Sequence, residues 1–153
     1  MLLATAVSIA LLAITILIHY EALRLVSRSL PGPERLGLRR RMILVVLACF
    51  AAHALQVWVY AMAYYMFADD LRLGSLTGDT HNQIFDFLYF SATTFTSLGI
   101  GDIYPVGATR IVAAVESLNG LLLIAWSASF TYLVMRTYWS LDRPGDSGPA
   151  PKI

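Results

Sequence analysis

The sequence predicts an all-α membrane protein: three transmembrane helices, with a re-entrant helix and loop between the second and the third. Three observations carry this reading. Met1–Ile18 and Met42–Phe67 hold no charged residue, and Ile111–Met135 holds only Glu116. Each run meets the roughly 18–20 apolar residues needed to cross about 30 Å of hydrocarbon. Between the second and third runs lies "QIFDFLYFSATTF", residues 83–95, apolar and aromatic but only 13 residues long. At about 1.5 Å per residue it reaches about 20 Å, too short to span, so it enters and returns on one face. The third observation is the uneven spread of Lys and Arg along the chain.

The bounds agree. The chain has 153 residues, is 58% hydrophobic and carries a formal charge of +1. That length suits one domain, and charge this scarce and this clustered argues against a soluble globular protein. The first run is expected to continue through "HYEALR" to about Ser27. It has no basic residue ahead of it and no small-residue cleavage site after it, so it reads as a helix and not as a signal peptide. "SLPGPE", residues 29–34, supplies a turn. Cys49, the single cysteine, excludes a disulfide framework and reads as a small packing residue in the second span.

Arg24, Arg28, Arg35, Arg39, Arg40 and Arg41 flank the first connection, and Arg136, Arg143 and Lys152 follow the third span. Only Arg72 and Arg110 fall on the other side. Nine against two sets the first loop and the C-terminus in the cytoplasm and the N-terminus outside. The run Arg39, Arg40 and Arg41 is a candidate contact for anionic headgroups, with ordinary topology charge as the simpler reading.

Residues 68–82, "ADDLRLGSLTGDTHN", are polar and turn-rich, and Thr80 or Asn82 is expected to cap the short helix. The stretch after it, "TSLGIGD", is residues 96–102. Non-helical backbone at membrane depth survives only where protein buries it or where it lines water. An aqueous path lined by backbone carbonyls requires successive carbonyls to point the same way, which alternating left- and right-handed backbone achieves. Glycine takes the left-handed conformation at little cost, and Gly99 and Gly101 stand at alternate positions. One strand cannot surround an ion, whereas several copies about an axis can.

"YFSATTFTSLGIGDIYPVG" resembles the pore signature of tetrameric potassium channels, whose pattern reads T-V-G-Y-G-D followed by a stretch such as I-Y-P-V. The resemblance covers about residues 84–135, with the second span as outer helix. It implies a homotetrameric pore passing monovalent cations, most of all potassium, through a selectivity filter at Thr96, Ser97, Leu98, Gly99, Ile100 and Gly101. Potassium would sit at the carbonyls of Ser97, Leu98, Gly99 and Ile100, together with the Ser97 hydroxyl, and no other cofactor is implied. Asp102 resembles the acid outside the filter, with Tyr89 as its partner. Gly120 resembles the bend point of the inner helix, and Leu121, Ile124, Ala128 and Tyr132 then share one stripe facing the axis. Three positions depart from the pattern: Ser97 for Thr, Leu98 for Val and Ile100 for Tyr. The last removes a hydroxyl that would tie the filter outward, and a weakly selective cation pore is the alternative.

The domains follow as a peripheral helix at 1–28, a basic loop at 29–41, a pore module at 42–135 and a short tail at 139–153. Within the module the outer helix takes 42–67, the turret 68–82, the pore helix 83–95, the filter 96–102 and the inner helix 108–138. A bacterial plasma membrane is the expected location. Glu116 is expected to face the pore helix, on hydroxyls such as Thr93 or Thr94. His53, Gln56 and Tyr60 lie on one face of the second span, a hydrogen-bonded stripe against a neighbouring helix, with proton sensing by His53 as the alternative. Trp58, Trp126 and Trp139 read as packing or interfacial anchors. "WSASF", residues 126–130, offers small side chains for a close helix crossing.

Other classes fare worse. A dinucleotide fingerprint needs a preceding strand and a third glycine opening a helix. An enzyme is not predicted: His19, His53, His81 and the scattered acids show neither metal-ligand spacing nor a nucleophile–base grouping. A small non-conducting membrane protein, with Gly-x-Gly as a plain turn, leaves the buried half-helix and the following acid unexplained. No span carries Arg at every third position, so no voltage sensor is read, and the 14 residues after Trp139 are too few for a ligand-binding domain. The first span reads either as packing outside the second span or as a partner-binding element.

Overall fold

The computed structural model describes residues 2–29, 37–68, 71, 73–81 and 83–141, with the backbone alone at 38 and 138–141. Asn82, Arg35, Arg72, Arg143, Lys152, the Trp139 side chain and the tail beyond 141 lie outside the described residues.

Among the described residues, four helices and one two-stranded ribbon follow in the order α1 (Leu2–Ser29), α2 (Leu38–Ala68), β1 (Gly74–Gly78), α3 (Ile84–Phe95), β2 (Ile103–Gly107) and α4 (Thr109–Leu141). Helices α1, α2 and α4 run 28, 31 and 33 residues, and at about 1.5 Å per residue each exceeds the about 30 Å of a hydrocarbon core. All three are apolar enough to cross a membrane. With α3 at 12 residues, the chain is an all-α membrane protein with three spans and a half-helix between the second and third. The helix limits differ from the expected ones by at most four residues, since end turns continue into polar sequence wherever their backbone groups find partners.

Helix α1 buries Ala4, Ser8, Leu11, Thr15, His19 and Leu23, a single stripe at intervals of three and four. Its hydroxyls fold back on their own helix, Ser8 to the Ala4 carbonyl and Thr15 to the Leu11 carbonyl, both at 2.8 Å. No polar atom of the pair is left to lipid. The stripe packs against both α2 and α4, which answers the question of what the first span does within the subunit. Arg41 is buried in the first turns of α2, so of the basic run only Arg39 and Arg40 are exposed to meet headgroups.

The core behind α3 is aromatic. Phe87, Phe90 and Phe95 from α3 meet Tyr60, Tyr64 and Phe67 from α2 and Val112 and Leu123 from α4. Tyr64 stands edge-on to Phe90 with ring centres 5.0 Å apart, and Tyr65 to Phe87 at 5.8 Å, geometries that suit aromatic quadrupoles.

The ribbon departs from the sequence reading, which treated residues 68–82 as irregular turret. Strand β1 pairs antiparallel with β2, from Gly74 opposite Gly107 to Gly78 opposite Ile103. Glycine-rich "GSLTG" has low strand propensity. Its partner strand, the burial of Leu76 and Ile103 and the hydrogen bond from the Asp79 amide to the Asp102 carbonyl (3.0 Å) hold it in place. The turret is thereby tied to the end of the loop that follows α3.

Candidate functional site

The helix leading into the loop starts at an N-cap on Gln83, rather than on Thr80 or Asn82. Asp86 makes the cap. Its Oδ2 accepts from the amides of Gln83 (3.1 Å) and His81 (2.8 Å) and from the Thr80 hydroxyl (2.9 Å). These bonds, the one from the Gln83 amide first, hold the Asp86 carboxyl below its ordinary range. A carboxylate in the first turn also suits the positive end of the helix. The opposite, partially negative end of α3 points into the loop.

The chain then turns back on α3. The Ser97 amide donates to the Thr94 carbonyl (2.9 Å), and the Leu98 and Gly99 amides both donate to Thr93 (2.8 and 3.1 Å). The Thr96 hydroxyl returns to the Ala92 carbonyl at 2.8 Å. From there the backbone alternates. Ser97, Gly99 and Gly101 have φ of 57°, 53° and 90°, and the intervening Leu98 and Ile100 stay out of the positive region. Residues 96–102 are all exposed on the single chain, Leu98 and Ile100 at 66% and 58%. Two large apolar side chains this exposed form a bare patch at the centre of the loop on the single chain.

Glycine supplies two of the three left-handed positions, and a serine supplies the third. The Ser97 hydroxyl lies 3.0 Å from that of Ser117 on α4, so it is engaged by the inner helix as well as standing at the foot of the loop. Beyond the loop, the Tyr89 hydroxyl donates to Asp102 Oδ2 at 2.8 Å, and Asp102 Oδ1 accepts from the Ile103 amide at 2.9 Å.

Glu116 is fully buried between α2, α3 and α4. Its partners differ from those expected. Ser91 donates to Oε1 at 2.6 Å, and the Tyr64 hydroxyl donates to Oε2. Thr93 instead turns its hydroxyl back to the Phe90 carbonyl at 3.0 Å. Thr93 stands two residues beyond Ser91 on a different face of α3, and Thr94 stands nearly a turn closer to the loop, differences that proximity in sequence does not weigh.

Gly120 also has a different reason for being glycine. Helix α4 runs unbroken through it, and a Cβ there would collide with the Phe95 carbonyl group at the last turn of α3. Close approach of the two helices therefore demands the missing side chain, whether or not α4 bends. Along the same helix Leu121, Ile124, Ala128 and Tyr132 are exposed, but so are Leu118, Leu122 and Ala125. The single chain does not single out one stripe among these.

The stripe on α2 is hydrogen-bonded in full. Gln56 reaches α1, His53 reaches Ser127 on α4, and Tyr60 accepts from Asn119 Nδ2 at 3.1 Å. Sequence reasoning missed Ser91, Tyr64, Ser117 and Asn119. Buried Asn119 in the third span was the one signal available for them, since a carboxamide in hydrocarbon must find partners.

Three spans, a half-helix entering from one end and a loop of alternating backbone handedness define a membrane pore protein. Residues 42–137 match a family described as "Ion channel". The chain belongs to this family of small, potassium-channel-like pores. It is similar to Protein LctB of Geobacillus stearothermophilus, 36% identical over 69 residues, which are 45% of this chain and 47% of that protein. The match thus spans about half the length of that curated relative. No solved structure matches the chain.

Proposed function

We propose that four copies of the chain form a potassium-conducting channel, with residues 96–102 of each lining one axis. The observation that carries this is the alternation of positive φ at 97, 99 and 101. Alternating handedness turns successive carbonyls to one side of the strand. Four such strands supply oxygens on every side of a dehydrated cation. Ions then sit at the carbonyls of Ser97, Leu98, Gly99 and Ile100, and no other cofactor is needed.

Ile100 has no hydroxyl to tie the loop outward, and the support available to it comes from Asp102. That residue is held by Tyr89, by the Ile103 amide and by the Asp79 amide of the ribbon. Exposure of Leu98 and Ile100 supports burial by neighbouring copies. Below the loop, Leu121, Ile124, Ala128 and Tyr132 form the cavity wall, with Gly120 where α4 meets α3. An apolar ring at Ile124 or Ala128 closes the path by dewetting. The first loop and the C-terminus face the cytoplasm of a bacterial-type plasma membrane, with Arg39 and Arg40 at the level of anionic headgroups.

The test is ion substitution on purified protein in planar bilayers. Reversal potentials should follow the potassium gradient with sodium as counter-cation. A reversal potential set equally by sodium and potassium would replace the potassium reading with a weakly selective pore, and no flux of either would overturn both. Mass measurement of the lipid-embedded protein should give four subunits, and a monomer or dimer with nothing larger would overturn the ring.

A further inference from the structure

Four side chains from three helices close a ring behind the pore. Gln56 Nε2 donates to the Thr15 carbonyl at 3.2 Å. A carbonyl only accepts, so this bond orients the amide. Gln56 Oε1 therefore faces His53 Nδ1 at 3.1 Å, and Nε2 faces His19 Nδ1 at 3.3 Å. An amide oxygen requires a donor, so His53 carries its proton on Nδ1. An amide nitrogen requires an acceptor, so His19 carries its proton on Nε2. Both Nε2 atoms then converge on the Ser127 hydroxyl, at 3.0 Å from His53 and 3.4 Å from His19. Ser127 accepts from His19 and donates to His53. Every bond in the ring has one proton and runs in one direction.

We propose that this ring is a proton-binding site that latches α1 to the pore, closed when both imidazoles are neutral and opened when it takes up a proton. A proton on His19 Nδ1 would face the donor side of an amide that Thr15 holds in place. A proton on His53 Nε2 would face the hydroxyl that His19 already donates to, and Ser127 would have to turn its own proton away. Either route breaks the cycle.

Among the described residues around the ring, no counter-charge faces either imidazole. The two rings stack with centres 5.2 Å apart, so a charge on one is felt by the other. On α1 the charged residues near His19 are Glu21 and Arg24, exposed and paired with each other at 3.0 Å. On α2 the neighbouring titratable groups are Cys49 and Tyr60, a turn or two away on either side. On α4, Trp126 packs on His19 with centres 5.3 Å apart, and Glu116 lies three turns off, bonded to Ser91 and Tyr64. From α3, Phe95 meets the pair, against His53 at 5.6 Å. A buried charge without a counter-ion or a full set of acceptors is driven toward water, and separating α1 from α2 and α4 provides the route. Because Phe95 also abuts Gly120 and precedes the loop, the latch touches the residue that positions the loop.

The experiment uses the full chain in lipid bilayers with isotope-labelled histidine, observed by solid-state nuclear magnetic resonance. A nitroxide at residue 17 (Leu17→Cys on a Cys49→Ala background) reports the mobility of α1, and exposed His81 serves as internal reference. At neutral pH one imidazole should carry its proton on Nδ1 and another on Nε2. Acid should change both over one pH interval, and the nitroxide should become mobile over that same interval. Ser127→Ala should leave the nitroxide mobile already at neutral pH, and Ser127→Thr, which keeps the hydroxyl, should not. The same tautomer on His19 and His53 in the wild-type chain would overturn the ring. Titration of the pair with no change at residue 17 would overturn the latch. Neither outcome depends on which ion the pore selects.

Discussion

Replacing Gly120 by alanine tests how the inner helix is joined to the half-helix. Two effects oppose each other. In a helix interior alanine is favoured over glycine by about 1 kcal/mol, so propensity alone predicts a more stable protein. Against it, the new Cβ would lie 2.8 Å from the Phe95 carbonyl carbon and 3.0 Å from its Cα, and closer still to the oxygen. These are backbone atoms and cannot rotate away. Restoring an ordinary contact of about 3.4 Å to the carbonyl carbon alone moves α4 and α3 apart by about 0.6 Å. Overpacking of this kind costs about 1–3 kcal/mol, enough to cancel the gain in propensity and exceed it. The displaced residue is Phe95, directly before the loop whose amides fold back on Thr93 and Thr94. We therefore expect Gly120→Ala to lower thermal stability in lipid and to reduce ion flux and selectivity together. Leu118→Ala, at an exposed site two residues earlier, is the control. A Gly120→Ala protein that is more stable and conducts with unchanged selectivity would refute the close approach and leave only a bend-point role for this glycine.

Other substitutions probe other joints. Gly99→Ala and Gly101→Ala meet no atom within 4 Å on their own chain, so each should cost only the positive-φ strain of about 1–2 kcal/mol per subunit, read as loss of ion preference with the fold retained. Glu116→Leu strips the buried Tyr64 hydroxyl of its acceptor, a loss of about 1–3 kcal/mol that thermal unfolding should show. Glu116→Gln keeps an oxygen for one hydroxyl and should cost less than about 1 kcal/mol. The Asp86 cap is made by the ionised carboxylate, whose proton affinity is lowered in the folded chain. Its contribution is therefore full above about pH 4 and is lost as pH falls through the lower folded value, which hydrogen exchange at the Gln83 and His81 amides would follow. Ile124→Asn should wet the cavity and raise resting flux; if it only destabilises the protein, Ile124 packs between helices instead.

The number of spans, the half-helix and the place of the loop were all legible in the sequence. Uncharged runs of membrane length have one stable outcome in lipid, and a 13-residue apolar segment is too short to share it. The alternating glycines were legible for a similar reason, because backbone handedness is a local property and Gly99 and Gly101 announce it. Partners across helices were not. Glu116 chose Ser91 and Tyr64 over the threonines, and Gly120 answered to Phe95, because those choices depend on how α3 rotates about its axis between α2 and α4. The ribbon joins residues about 30 positions apart, and its first strand, GSLTG, lacks strand propensity, so only the meeting of the two segments reveals it. The histidine ring was half visible. His53 and Gln56 share a face of α2 by helical spacing alone, but His19 and Ser127 enter from helices whose depth and rotation the sequence does not state. A lipid environment decides which segments cross, since it penalises each charged or unpaired group regardless of its neighbours. Side-chain pairing across helices is a relation between surfaces, and it exists only once packing has set their rotation and depth.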